Sequence, residues 1–499
     1  MSDERRTRAA GTLERAGARL LIGGEWQAPR DGTTATTVDP STGEALGEYA
    51  VAGDADVDAA VRAAADAQRA WARLSSGEQA GHLERLRERV AAAAEDLAVC
   101  DSVDAGLPIA AMRGEARGAA QQIGLWPGLA MAPDGSVYDR RDGRLHLTTS
   151  SPYGVVARII SYNHPTYAFI VGILPALLAG NAVVLKPADQ TPTSALAIAD
   201  IVREALPPGL VGVVTGDAGT GRALVSHPLV RRVAFTGGTA TGLAVQQAAA
   251  GDRVRAVSLE LSGKNAMVAF DDADAEEVAD GIVTGMNLRV NQGQSCASTS
   301  RVFVHRRLYA DVLDRVAERL AGLRVGVAYD DATEVGPMIS AQHADSVRAH
   351  ILGAVGDGAR IVAGGSGPEG LPERGYFVAP TLLADVEPGM AVAREEIFGP
   401  VISVLPFTSE HEVIETVNAS PYGLSASVWS RDIDRALRTV EQIDAGYVWV
   451  NCAGEFYSGV PFGGWKDSGL GSQESLEELQ SFRRLKAVNV RVGGAGDAA

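Results

Sequence analysis

Cysteine is scarce in this chain. Only Cys100, Cys296 and Cys452 occur among 499 residues, and they lie far apart in the sequence. Three scattered cysteines are too few for a disulfide framework and lack the spacing of a metal cluster. We therefore predict no metal site, and we expect a reducing, cytoplasmic compartment.

Basic residues and long apolar runs are also in short supply. Lysine and arginine number 45 against 62 aspartates and glutamates, which gives a formal net charge of −17. Nucleic acids and anionic membranes attract basic surfaces, so we expect neither as a partner. No apolar run is long enough to span a bilayer, and Leu20–Ile22 is too short for a signal peptide core. We expect residues 1–18, approximately, to form a flexible arm.

The middle of the chain alternates short β-branched runs with helical ones. The predicted strands are residues 155–160, 182–186, 211–214, 233–235 and 254–259. Strands separated by helices indicate βαβ crossovers, and hence an α/β fold with a parallel, doubly wound sheet. Such sheets bind ligands at the carboxyl ends of their strands.

Two of these strand ends carry candidate binding groups. Phe235, Thr236, Gly237 and Gly238 lead from a strand through a glycine turn into a helix that contains Thr241, where backbone N–H groups could face a pyrophosphate. At another end, Lys186 and Asp189 could hold ribose hydroxyls. Each feature also has a plainer interpretation, as a structural turn or as ordinary surface residues.

The stretch NQGQSC, residues 291–296, places one cysteine on a polar connection between a helical run and a strand. A thiolate at Cys296 would be nucleophilic, and backbone N–H groups or a helix end could lower its pKa. A lone free cysteine is more often a small buried hydrophobe. The residues around it decide between the two interpretations.

Four blocks together resemble the aldehyde dehydrogenase superfamily. They are VSLELSGKN (257–265), NQGQSC (291–296), EEIFGPV (395–401) and PFGGWKDSG (461–469). The resemblance runs from about Leu21 to Val492. It implies a Rossmann-type cofactor domain (1–138 and 154–262), an α/β catalytic domain (263–465) and a β oligomerisation arm (139–153 and 480–493). A homodimer or homotetramer is expected.

The resemblance also implies catalytic roles. Cys296 would add to an aldehyde carbonyl, and the Asn163 side chain would bind the resulting oxyanion. Glu260 would activate the water that hydrolyses the thioester, because burial could raise its pKa towards neutrality. The predicted reaction is oxidation of an aldehyde to a carboxylic acid.

The cofactor implied is NAD, with NADP as the alternative. Lys186 and Asp189 match the positions that hold the adenosine ribose, Gly238 the pyrophosphate, Glu396 the nicotinamide ribose and Phe398 the ring. Asp189 stands where glutamate is usual, which keeps the charge that favours NAD. The complete predicted cofactor set is Ile159, Ser161, Lys186, Asp189, Gly219, Phe235, Thr236, Gly237, Gly238, Thr241, Leu261, Glu396 and Phe398.

The small-molecule aldehyde is less well defined. By the same alignment, the predicted substrate channel is lined by His164, Ala168, Val171, Val290, Ser295, Phe456 and Phe462. Small side chains in this set favour a bulky apolar aldehyde, whereas Glu455 would suit an amino-aldehyde. Ordinary core packing is the plainer interpretation. The rival classes are a coenzyme A-acylating enzyme and a non-catalytic relative, and an intact Glu260 argues against both.

Overall fold

The computed structural model describes residues 2–132, 135–138, 144–365 and 373–491. The first part of the chain forms α1 (Ser2–Ala16), β1 (Leu20–Ile22), β2 (Glu25–Gln27), β3 (Thr34–Asp39), β4 (Glu44–Ala50), α2 (Asp54–Trp71), α3 (Ser76–Ala92), α4 (Ala94–Ala105), α5 (Ile109–Ala130), β5 (Val137–Tyr138) and β6 (Arg144–Pro152).

The middle part forms β7 (Val155–Ile159), α6 (Pro165–Leu178), β8 (Ala182–Lys186), α7 (Pro192–Ala205), β9 (Val211–Val213), α8 (Ala218–Ser226), β10 (Val230–Thr236), α9 (Thr239–Ala250), β11 (Ala256–Glu260), β12 (Ala266–Ala269), α10 (Ala275–Gly285), α11 (Leu288–Asn291) and β13 (Arg301–His305). The last part forms α12 (Tyr309–Ala321), α13 (Ala341–Gly356), β14 (Arg360–Ala363), β15 (Thr381–Ala384), α14 (Ala391–Arg394), β16 (Val401–Phe407), α15 (Glu410–Asn418), β17 (Tyr422–Gly423), β18 (Ser425–Trp429), α16 (Ile433–Gln442), β19 (Tyr447–Val450), β20 (Trp465–Lys466), β21 (Gly469–Leu470), α17 (Leu476–Ser481) and β22 (Arg483–Arg491).

The first large sheet has the strand order β2-β1-β9-β8-β7-β10-β11-β21 across the described residues. Strands β9, β8, β7, β10 and β11 are parallel neighbours. β7 and β8 are buried at every position, as expected for strands covered by helices on both faces. The predicted α/β fold with a doubly wound parallel sheet is confirmed.

The order of these strands fixes where a ligand can bind. The chain builds outwards from β7 through β8 to β9, then returns to add β10 on the other side of β7. The connections that follow β7 and β10 therefore diverge and leave a crevice at the carboxyl ends of these two strands. Ile159 ends β7 and Thr236 ends β10, so both lie at this switch point.

A second sheet, with the order β14-β15-β16-β13-β12-β18-β19, is parallel except at the β14 edge. Its core is separate from that of the first sheet, with residues such as Val268, Phe303 and Val428 fully or almost fully buried. β13 begins five residues after Cys296 in the sequence, so this sheet anchors one end of the cysteine stretch.

The strands predicted for the oligomerisation arm pair with each other. β22 runs antiparallel to β6, and β5 lies on the other side of β6. Arm residues 139–143 and 492–493 lie outside the described residues. The division into three domains stays a prediction. In the part of the chain that the structure describes, no helix is long and apolar enough to cross a membrane.

The expectation of a flexible N-terminal arm is wrong for residues 2–16. They form α1, whose Ala9, Leu13 and Ala16 are buried. Arg6 also pairs with Asp39 at 3.2 Å, and that carboxylate is completely buried. Residues 9, 13 and 16 recur at helical spacing, so the apolar face was present in the sequence among conspicuous arginines.

Candidate active site

A cavity of about 540 Å³ opens at the switch point of the first sheet. Its lining includes Cys296, Glu260 and Asn163, the three predicted catalytic residues. It also includes every predicted cofactor residue except Gly219: Ile159, Ser161, Lys186, Asp189, Phe235, Thr236, Gly237, Gly238, Thr241, Leu261, Glu396 and Phe398. Residues from distant parts of the chain therefore meet in one crevice.

Gly219 lies beside this cavity without lining it. Its backbone N–H donates to the Asp217 carboxylate at 2.8 Å, which caps the first turn of α8. Asp217, Ala218, Gly221 and Arg222 line the cavity instead. The prediction selected the correct segment of the chain, but the neighbours of Gly219 line the crevice rather than Gly219 itself.

One end of the cavity offers groups suited to a nucleotide. Lys186 is buried, and its ammonium donates to the adjacent Pro187 carbonyl at 3.0 Å, which leaves further hydrogens for a ligand. Burial lowers the pKa of Lys186, which the nearby Asp189 carboxylate opposes. Gly238 begins α9 with no side-chain cap, so N–H groups of the first turn remain available for an anion. A Cβ at Gly238 would meet nothing within 4 Å, so this cradle is open.

The cysteine stretch is held by close backbone packing. A Cβ on Gly263 would lie 2.3 Å from the Cys296 carbonyl oxygen, so only glycine allows the glutamate block to approach so closely. Gly293 has φ +73°, and its Cβ would lie 2.5 Å from the Gly399 oxygen. Asn265 donates to the carbonyl oxygens of Cys296 at 2.7 Å and Ser298 at 2.9 Å. These contacts hold the backbone on both sides of Cys296 in place.

Glu260 and Cys296 interact directly. Burial raises the pKa of Glu260 to about 7, against a lowering contribution from the hydrogen bond with the Cys296 thiol. The predicted rise in this pKa is confirmed. A carboxyl group with a pKa near neutrality can accept and release a proton under ordinary conditions.

The pKa of Cys296 departs from its expected direction. Burial, followed by the negative charge of Glu260, raises it well above the usual range, while the Ala297 N–H acts weakly the other way. The Ala297 N–H lowers this pKa as expected, but the expected net lowering is wrong because burial and Glu260 outweigh it. The structure places the Glu260 carboxyl group close to the thiol.

Asn163 is aimed by its neighbour Ser161. The Ser161 hydroxyl donates to Asn163 Oδ1 at 2.7 Å, and the Asn163 side chain is buried. With Oδ1 engaged, the amide Nδ2 is the group left to donate into the cavity. Ser161 lines the same cavity, and its hydrogen bond to Asn163 was not foreseen from the sequence.

Glu396 and Phe398 form a further part of the cavity wall. Glu396 accepts a hydrogen bond from the Gly263 N–H at 2.9 Å, and burial raises its pKa. Phe398 adopts φ +55° and meets the Tyr162 ring edge-on, with centroids 5.8 Å apart. These contacts tie the wall to the Cys296 loop.

None of the seven predicted substrate residues lines this cavity as the structure describes it. His164, which follows Asn163 directly, hydrogen-bonds Glu115 through Nδ1 at 2.7 Å and Asn291 through Nε2 at 3.1 Å. Ser295 accepts from Asn287 at 3.1 Å. Glu115, on α5, is paired with His164 and mostly enclosed, with a 16% exposed side chain.

The other predicted substrate residues divide into two groups. Phe456 and Phe462 are 5.4 Å apart, and both pack on Tyr447. This aromatic cluster, which includes Trp449, adjoins Ala297. Ala168, Val171 and Val290 are small and at least partly buried. Core packing explains the position of some of the predicted substrate residues. The predicted channel stays a prediction.

Comparison with known proteins identifies the chain. The model of the aldehyde dehydrogenase family matches residues 26–488. The chain is 40% identical over 484 residues to aldehyde dehydrogenase tropH of Talaromyces stipitatus, covering 95% of this chain and 94% of that protein. This chain belongs to the aldehyde dehydrogenase family. It is an oxidoreductase of that family.

Solved structures agree. The NAD⁺ complex of aldehyde dehydrogenase from Bacillus cereus matches with a TM-score of 0.92 and 35% identity, over 95% of this chain and 97% of that chain. The NAD-dependent aldehyde dehydrogenase from Sinorhizobium meliloti matches with a TM-score of 0.92 and 34% identity, over 97% of both chains. The aldehyde dehydrogenase fold predicted from the four blocks is thereby confirmed.

Sequence reasoning missed several residues of this aldehyde dehydrogenase site. Asn265 clamps the nucleophile loop, Asp217 and Arg222 line the crevice, and Glu115 pairs with His164. Asn265 adjoins the glutamate block, so its position was a usable signal. No sequence signal pointed to Glu115, because its partner His164 lies 49 positions away.

Proposed function

We propose that this enzyme oxidises an aldehyde to the carboxylic acid with NAD as hydride acceptor, through a thioester on Cys296. The observation that carries the proposal is the convergence of Cys296, Glu260 and Asn163 on one crevice, where burial raises the pKa of the Glu260 carboxyl group to about 7. A nucleophile, a base and an oxyanion donor are the parts that this chemistry requires.

The first half of the reaction uses all three residues. Glu260 takes the thiol proton, and the Cys296 sulfur adds to the carbonyl carbon. The oxygen becomes an oxyanion, and Asn163 Nδ2 donates to it while Ser161 holds Oδ1. Bound in the crevice, NAD supplies the acceptor for the hydride that leaves this carbon.

The second half releases the acid. The acyl group remains on Cys296 as a thioester, and Glu260 first releases the thiol proton to solvent. The Glu260 carboxylate then takes a proton from water as the water attacks the acyl carbon. The thiolate leaves and Cys296 is free again. A base beside the thiol suits transfer to water, whereas transfer to coenzyme A would not need it. A non-catalytic relative would have no reason to keep these three groups together.

The crevice suits NAD. Lys186 and Asp189 would hold the adenosine ribose, the first turn of α9 the pyrophosphate, and Glu396 the nicotinamide ribose. The NAD⁺ complex of the Bacillus cereus relative supports this assignment. Asp189 disfavours a 2′-phosphate, and NADP remains the alternative cofactor.

The proposed substrate is a bulky aldehyde with an apolar body, such as an aromatic, terpenoid or medium-chain one. The small side chains of Ala168, Val171 and Val290 support it. So do Phe456 and Val460, which are 46% and 45% exposed and offer an apolar surface. An amino-aldehyde is the alternative, but Glu455 is already engaged by the Tyr457 hydroxyl at 2.5 Å.

A dimer or a dimer of dimers is proposed for the assembly. β22 is an exposed edge strand beside β6, and its Leu485 is 75% exposed. An apolar edge of this kind favours addition of a strand from another subunit. The cytoplasm is the proposed compartment, supported by three free cysteines.

The test is NADH formation by purified protein with acetaldehyde, benzaldehyde, citral, decanal and an amino-aldehyde. Each is assayed with NAD, with NADP, and with or without coenzyme A. Turnover with NAD that favours bulky aldehydes and ignores coenzyme A is expected. Strict dependence on coenzyme A would remove the role given to Glu260, and absence of turnover with every aldehyde would contradict the function.

A further inference from the structure

Three polar side chains form a chain of hydrogen bonds on the substrate side of the catalytic residues. Glu115 comes from α5, His164 from the turn before α6, and Asn291 from the end of α11. Glu115 Oε1 lies 2.7 Å from His164 Nδ1, and Asn291 Nδ2 lies 3.1 Å from Nε2. This is the Glu115–His164–Asn291 chain.

The chain lies next to the reacting groups. His164 follows Asn163, so their Cα atoms are about 3.8 Å apart. The charge of Glu260 also acts on His164 and helps to raise its pKa, together with Glu115 and Glu474, against the lowering effect of burial. Yet 32% of the His164 side chain is accessible. The His164 ring is therefore partly open to a small molecule.

Two oxygens of the chain have no hydrogen-bond donor. Glu115 Oε2 and Asn291 Oδ1 are buried and without a partner among the described residues. Asn291 is completely buried, so water from the surface does not reach it freely. A buried acceptor left unpaired costs about 1–3 kcal/mol, so two beside one histidine indicate a site that awaits a donor.

We propose that the Glu115–His164–Asn291 chain binds a hydroxyl group of the substrate, so that the preferred aldehyde carries a hydroxyl on its apolar body. The inference rests on the proposed function and specifies its substrate. Adjacency to Asn163, which holds the carbonyl oxygen, places this hydroxyl near the aldehyde group. Its hydrogen is donated to the Glu115 carboxylate, whose side chain is partly accessible, whereas Asn291 is completely buried.

The enclosure of the chain favours a neutral donor over an ammonium group. In the neutral ring, His164 Nδ1 donates to the Glu115 carboxylate and Nε2 accepts from Asn291, so both ring nitrogens are engaged. An ammonium group would lose far more hydration than a hydroxyl on entering this mostly enclosed site. A substrate carboxylate suits the site no better, because it would bring acceptors to two oxygens that lack donors.

A purely structural role is the competing explanation. Glu115 and His164 join α5 to α6, and the neighbouring Gln122 of α5 bonds Tyr167 at 3.3 Å and Ser458 at 2.7 Å. A brace of this kind would affect every substrate equally when weakened. A recognition group affects only aldehydes that carry the hydroxyl, so matched substrates separate the two roles.

The experiment compares kcat/KM for benzaldehyde, its ortho-, meta- and para-hydroxy derivatives, and the methoxy counterparts, which cannot donate. We expect at least one hydroxy isomer to exceed both benzaldehyde and its methoxy counterpart by roughly 100-fold, since a site built for a hydroxyl rejects analogues that lack it. Glu115→Gln should reduce this ratio at least about tenfold. Glu88→Gln, at an exposed carboxylate of α3 outside the chain, is the matched control and should keep it.

Three results would overturn the inference: ratios near one in the wild type, stronger preference for an amino-aldehyde, or equal losses for all aldehydes in Glu115→Gln. Thermal shifts of Cys296→Ala with the same aldehydes measure recognition without turnover. They test the hydroxyl preference even if no aldehyde is oxidised, which separates failure of the inference from failure of the proposed function.

Discussion

The proposed cofactor side and the proposed substrate side of Cys296 are built in different ways. On the proposed cofactor side, residues that end neighbouring strands of the first sheet, such as Ile159, Lys186 and Thr236, line one crevice. On the substrate side, contacts join Glu115, His164 and Asn291, which come from three separate segments. One site follows from the order of a single sheet, whereas the other depends on how distant elements dock.

This difference explains what each side can vary. Backbone groups at a helix start serve any sequence that keeps the turn, so the site needs no side chain at Gly238. The substrate side relies on side chains, and a histidine at 164 calls for a partner such as Glu115. Specificity for the aldehyde is therefore expected to depend on these side chains. Cofactor binding is expected to vary independently of that specificity.

The largest expected effect comes from Cys296→Ala. Loss of the sulfur should abolish aldehyde oxidation, because no covalent intermediate can form. NAD affinity should change less than about threefold, because the cofactor contacts lie on the other side of the crevice. Steady-state NADH formation and calorimetric titration with NAD measure the two effects. Cys452→Ala is the control and should keep most of the activity, and turnover by Cys296→Ala would refute the nucleophile.

Glu260→Gln should give the next largest loss. The amide cannot accept a proton, so kcat should fall by about 100- to 10,000-fold. We expect one NADH per active site in a slow burst, followed by a stalled thioester. Rapid-quench analysis with mass spectrometry of Cys296 detects the acyl group. Steady turnover equal to the wild type would contradict the role of this base on both sides of the reaction.

Asn163→Ala should lower kcat/KM by about 100- to 1000-fold, the usual cost of one oxyanion donor. Ser161→Ala should cost roughly tenfold, because the Asn163 amide loses its orienting bond while remaining present. NAD affinity decides between two roles for Ser161. A weakened NAD complex with normal kcat would assign the hydroxyl to cofactor binding, as the sequence predicted.

The pH dependence follows from the two pKa shifts. Glu260 acts as a carboxylate, and its pKa is raised to about 7, so protonation below that pH removes the base. The raised pKa of Cys296 works in the same direction. Activity should therefore rise with pH and fall about tenfold for each unit below the inflection. A wild-type profile of kcat/KM that stays flat across this region would contradict the coupling of the thiol to Glu260.

The sequence predicted the first sheet well and the contacts between elements poorly. The strand 182–186 has the predicted bounds, whereas β10 begins at Val230 rather than at the predicted residue 233, because Arg231 and Arg232 interrupt its apolar run. Glu260 was found with its raised pKa, since a carboxylate ending a buried strand is readable from local pattern. The raised pKa of Cys296 was missed, because it depends first on burial of the thiol and then on the charge of Glu260, and tertiary packing sets both.

The smallest expected effect concerns the cofactor choice at Asp189. Removal of the carboxylate in Asp189→Ser should weaken NAD binding roughly tenfold, the low end for a charged hydrogen bond, because this residue is exposed at the crevice rim. It should also improve NADP relative to NAD, because repulsion of the 2′-phosphate is lost. Asp189→Glu keeps the charge and should preserve the NAD preference. If Asp189→Ser leaves the ratio of kcat/KM for the two cofactors unchanged, other groups of the crevice, such as Lys186, discriminate between NAD and NADP. Cofactor preference would then not be predictable from the residues at the strand ends alone.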